Sequence, residues 1–160
     1  MLSKPKAGWT TFELCDDYSY RLSYLTDVCI DWLDAAIRGL DDMKPFAVHG
    51  FCEPDRMVCL VSFDGTYIVY ESDACMKNSG YKHMYGVDVT MIDFCRNLHR
   101  DISENLEEWV NWNNEYLYDD ERDEEEMKPI RRSKIKEKLD RLEELIKAKE
   151  GEWEHTHLFF

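Results

Sequence analysis

Residues 46–71 read FAVHGFCEPDRMVCLVSFDGTYIVYE, and this stretch decides the fold. It divides into three runs of strand character: Phe46 to Cys52, Arg56 to Phe63 and Thr66 to Glu71. β-Branched and aromatic side chains recur in them, and such side chains pack well on a pleated surface. Glu53-Pro54-Asp55 divides the first pair of runs, and Asp64-Gly65 divides the second. The second dipeptide suits a two-residue hairpin, because glycine takes the positive φ that the turn demands. Met57 to Phe63 is nearly continuous in apolar residues, which marks it as the central strand of an antiparallel meander.

Upstream, Thr10-Thr11-Phe12-Glu13-Leu14 alternates apolar with polar and predicts a short first strand. The period then changes. Leu22, Leu25, Cys29, Trp32, Leu33, Ala36, Ile37 and Leu40 share one face of a 3.6-residue helix that ends near Gly39. Downstream of the meander, a loop contains Asn78-Ser79-Gly80. Asp88 then stands where an N-cap is expected, and Met91, Cys95, Leu98, Ile102, Leu106 and Trp109 predict a second long helix to about Asn114. Ser133 is placed to cap a last expected helix with Ile135, Leu139, Leu142, Leu145 and Ile146 as its apolar stripe and Gly151 as its stop. A helix of that length gains most of its stability from packing, so it docks on the body or on a partner. The order β-α-β-β-β-α plus a C-terminal helix predicts an α+β fold, an antiparallel three- to four-stranded sheet with helices packed on one face.

The 160 residues carry 34 Asp+Glu against 20 Lys+Arg, a net charge of -14. The imbalance is uneven: the run 119–126 holds seven acids and one base, whereas 127–149 holds nine bases and four acids. These shifts predict an acidic α+β domain over 1–118, an acidic linker over 119–129 and an amphipathic helix with a tail over 130–160. Pro129 is expected to break any helix running through the linker. No segment approaches the roughly 20 apolar residues of a membrane span. The N-terminus has no apolar run behind its lysines, so the expectation is a cytoplasmic protein without a secretory signal. Six cysteines without a C-x-x-C pair fit reduced, buried thiols. A body this negative repels a phosphate backbone, so direct nucleic-acid binding is not expected.

Candidate chemistry is sparse. His49, Cys52 and Cys59 are ligand types that zinc accepts, but strand alternation sends His49 and Cys52 to opposite faces, and no metal is assigned. Asp64 and Glu71 flank a hairpin strand that lacks the lysine a metal-dependent nuclease would need. Cys95 and His99 lie one helical turn apart, yet Cys95 belongs to the apolar stripe and is expected to be inert. There is no Gly-x-Ser-x-Gly elbow and no glycine loop to cradle phosphate. The expectation is a protein without catalytic activity or cofactor.

The acidic surface stands out instead. Asp27, Asp31 and Asp34 are spaced i, i+4, i+7 on the first helix, Asp41 and Asp42 extend them at its end, and Asp16-Asp17 precede it. Like charges at that spacing destabilise a helix by a few tenths of a kcal/mol per pair, and only Arg38 is placed to relieve them. Two readings stand: solvated acids of an acidic protein, or a docking face for a basic partner. Tyr18, Tyr20 and Tyr24 sit among these acids, and Trp112, Tyr116 and Tyr118 lie near the acidic run; such aromatics serve either the core or an interface. The expected partner-binding set is Asp16, Asp17, Tyr24, Asp27, Asp31, Asp34, Asp41 and Asp42.

A small acidic α/β chain with an Asp stripe on its first helix (Asp27, Asp31, Asp34) and Tyr24 beside it resembles, over residues 10–118, the immunity proteins of bacterial toxin systems. The resemblance implies a partner with a basic toxin domain, often a nuclease, whose active site is covered. Two other readings remain: a phage-type nucleic-acid mimic, and an adaptor subunit that pairs its helix 133–149 with a partner helix.

Overall fold

The computed structural model describes residues 1–15, 18–72, 83–112 and 121–156. The meander is as expected: β3 (Phe46–Phe51), β4 (Arg56–Val61) and β5 (Thr66–Glu71) are antiparallel neighbours. A fourth strand, β6 (His83–Val87), pairs with β5 and completes a sheet of order β3-β4-β5-β6. Registers such as Val48↔Cys59↔Ile68↔Tyr85 set which side chains share a face. The protein is α+β, with helices packed against the sheet.

The N-terminal region differs from the periodicity reading. Thr10–Leu14 lies within β1 (Trp9–Cys15), but the chain returns as a second strand, β2 (Tyr18–Ser23), forming a separate two-stranded sheet. Leu22, expected on the helix, faces into the core from β2 and packs against Gly50, where a Cβ would come within 2.9 Å of the leucine side chain. Helix α1 (Val28–Asp42) therefore starts later than its apolar spacing suggests. Asp27 is its N-cap, accepting from the Ile30 amide at 3.2 Å. Met43 in the left-handed region ends it, before Pro45.

The second expected helix is two. Thr90 rather than Asp88 caps α2 (Met91–Glu104), its hydroxyl accepting from the Asp93 amide and donating to the Asp93 carboxylate at 2.8 Å. Asn105 leaves helical geometry, and α3 (Leu106–Val110) follows as a short turn of helix.

Helix α4 (Glu121–Thr156) corrects several expectations, and Ser133, expected as its cap, lies inside it. It begins inside the stretch expected as linker and contains Pro129, and it continues past Gly151. Proline removes one hydrogen bond and costs about 3 kcal/mol in a helix interior, and the packing downstream opposes that loss. Ile135, Leu139, Leu142, Leu145 and Ile146 are all buried, against α1 and α2. The stripe expected to dock on the body or on a partner docks on the body.

The molecule is thus layered. One face of the four-stranded sheet meets α1, α2 and the β1-β2 hairpin, and α4 covers the helices from outside. Trp32 joins the layers: its ring meets Phe12 edge-on at 5.1 Å and Phe94 at 6.2 Å, and Phe94 meets Phe46 at 5.8 Å. Its indole N–H donates to the His49 carbonyl of edge strand β3 at 2.8 Å. No helix among the described residues is long and apolar enough to cross a membrane.

Candidate functional site

The acidic stripe of α1 meets the basic side of α4. Asp27 is held by the Arg131 guanidinium, which donates through both terminal nitrogens, one at 2.9 Å. The Arg131 Nε donates to the Trp109 carbonyl at 3.1 Å. With side chains only 9% and 13% exposed, Arg131 and Asp27 form a bidentate, largely desolvated pair that ties α1, α3 and α4 together. Two turns on, Asp34 pairs with Lys138, and two turns further Asp41 pairs with Arg141 at 2.9 Å. The two helices run in the same direction, and their charges meet along the seam.

The remaining predicted residues are not gathered into one patch. Asp31 is exposed and has no ion pair among the described residues; partial desolvation, then the Asp27 charge, raises its pKa above the ordinary carboxylate value. Asp42 lies 3.5 Å from Lys44. Tyr24 is half-buried over Gly8, where a Cβ would stand 2.8 Å from the tyrosine ring. Asp16 and Asp17 lie outside the described residues, as do the Asn78-Ser79-Gly80 loop, Tyr116 and Tyr118. Arg131, Lys138 and Arg141 were the unread partners of the stripe, and their signal was the basic run that follows Pro129.

The candidate catalytic groups lie apart, the thiols of Cys59 and Cys95 buried and His49 and Asp64 exposed. Burial pushes the thiols of Cys59 and Cys95 far above their ordinary value, and Cys52 is pushed up to about 11 by burial and then by Asp55. His49 is exposed, whereas Cys59 is buried on the other face of the sheet. Glu71 is held by Arg56, and Asp64 is an exposed turn residue. Where the hairpin meets the sheet, the Tyr20 hydroxyl donates to that of Tyr85 at 2.8 Å, Tyr18 stacks on Tyr85 at 4.3 Å, and Tyr70 donates to Asp55. Burial raises the pKa of Tyr20, Tyr70 and Tyr85, so they act as neutral phenols bracing the hairpin. Among the described residues no group of three His, Cys, Asp or Glu side chains is arranged to hold a metal ion.

Among the described residues no helix lies on the other surface of the sheet. His49, Val58, Val69 and Met84 form one cross-strand row there, and Ala47, Leu60, Tyr67 and Gly86 form the next. Leu60, Tyr67 and Met84 are 44%, 50% and 73% exposed. The Tyr67 ring lies beside Gly86, 3.4 Å from where a Cβ would stand. The apolar run of β4 was the sequence signal for this surface: a strand apolar on both faces has apolar side chains on the face opposite the described helices. No protein-family model matches the chain, and no curated protein or solved structure does.

Proposed function

We propose that the chain is a non-catalytic binding protein, acting in the cytoplasm, that neutralises a basic protein by covering its active site in the manner of an immunity protein. The observation that supports this is the charge left over after the internal pairs are made. The molecule keeps a net charge of -14, and Glu13, Asp31, Glu53, Asp64 and Asp88 are exposed carboxylates with no ion pair among the described residues. Such a field steers a basic partner and speeds encounter in a salt-dependent way. A nucleic-acid mimic is less favoured, because Asp27, Asp34 and Asp41 are paired with α4 and do not extend a regular exposed track of charge. An adaptor that offers its last helix is less favoured too, since the apolar stripe of that helix is buried in its own core.

The test is affinity capture from the native cell at low salt, followed by a salt wash, identification of the released proteins and a titration against the purified partner. The expected result is a basic enzyme released by salt whose turnover falls to zero at one equivalent of the chain. Capture of only acidic proteins, or an enzyme that stays active when saturated, contradicts the proposal.

A further inference from the structure

We infer that the exposed face of the four-stranded sheet, which no described helix covers and which is centred on Leu60, Tyr67 and Met84, is the surface that receives a basic protein partner bearing a complementary apolar patch. This rests on the proposed function for the sign of the partner's charge and goes beyond it in assigning the surface. Three observations carry it. First, the acidic edge of α1 is engaged: Asp27, Asp34 and Asp41 are paired with Arg131, Lys138 and Arg141 of the same chain. A partner approaching there would have to displace a helix whose apolar stripe is buried. Second, the central strand β4 presents Val58 and Leu60 outward beside Tyr67, Val69 and Met84 of its neighbours, a contiguous apolar surface with the tyrosine and methionine enriched at interface cores. Third, the sheet ends are acidic. Glu53 in the β3–β4 turn, Asp64 in the β4–β5 turn and Asp88 after β6 are exposed and have no ion pair among the described residues. Among the described residues of this face, Arg56 is engaged by Glu71.

An apolar centre with carboxylates at its ends is complementary to a partner with an apolar centre and a basic rim. The same charges oppose a second copy of this chain, because two molecules of net charge -14 meeting face to face would bring like rims together.

The surface is tested by placing the photo-crosslinker p-benzoylphenylalanine in the full chain at Tyr67 or Met84, and separately at Asp31, and irradiating native cells. Each crosslinked protein is identified and purified, and its affinity is measured for the native chain and for Tyr67→Asp and Met84→Glu. Both positions are exposed, and circular dichroism checks that the variants fold. The expected result is a basic protein crosslinked from Tyr67 and Met84 and not from Asp31, with affinity falling roughly thirtyfold in Tyr67→Asp. A basic protein crosslinked only from Asp31 overturns the assigned surface and leaves the proposed function standing. An acidic or neutral protein at Tyr67 and Met84 overturns the basic partner and with it the proposed function. A second copy of the chain, or no crosslink from any position, overturns the inference.

Discussion

Asp27 does two things at once: it caps α1 through the Ile30 amide and holds Arg131 by both carboxylate oxygens. Removing one member of a buried pair leaves the other desolvated and uncompensated, at a cost of about 3 kcal/mol. Asp27→Ala should therefore destabilise the fold by about that amount in urea titration. Asp27→Ser combined with Arg131→Met, which keeps a cap and removes both charges, should recover most of it. A loss below about 1 kcal/mol for Asp27→Ala would mean the pair does not hold the helices together. Cys52 gives a test by pH. Its thiol is pushed up to about 11, so its thiolate is scarce at neutral pH. Its alkylation by iodoacetamide, followed by peptide mapping, should rise about tenfold per pH unit from 8 to 10. A plateau near pH 9 would contradict that environment. Of the acidic residues, the sequence made their type and spacing plain. It did not show their partners, because Arg131 lies 104 residues from Asp27 and no local pattern links the two.

At the level of elements, what was legible followed local rules, and what was not depended on contacts. β3, β4 and β5 could be read because alternation and turn residues coincide between Phe46 and Glu71. β2 could not, because Leu22, Leu25 and Cys29 happen to follow helical spacing while Leu22 is fixed by Gly50 across the core. β6 has only five residues, and its pairing with β5 is what makes it a strand. The α2–α3 break at Asn105 interrupts an apolar rhythm that continues through Trp109. Gly39 shows packing overruling propensity. Within α1, alanine there would gain about 1 kcal/mol of helix propensity. Its Cβ would stand 2.2 Å from the Phe46 ring, however, and overpacking a core costs about 1–3 kcal/mol. Gly39→Ala is therefore expected to lower the thermal midpoint, and a rise would show that Phe46 moves aside freely.

For the molecule as a whole, the charge pattern reads differently once α4 is in place. The sequence shows an acidic body and a basic helix as separate features; in the structure each partly neutralises the other, and Glu53, Asp64 and Asp88 lie at the ends of the exposed apolar sheet face. The candidate site was half legible for this reason. Acidity was visible in composition, whereas the exposed sheet face could be seen only after the described helices were known to lie on the other side. Helix α4 is an integral layer bound to α1 along Asp27, Asp34 and Asp41, a property that native-state hydrogen exchange measures. Amides from Ile135 to Ile146 are expected to exchange only by global unfolding, with the same opening free energy as those of Trp32 to Leu40 in α1. Exchange of the α4 amides at rates close to those of an unfolded chain, while α1 stays protected, would contradict the account and return the acidic stripe to solvent.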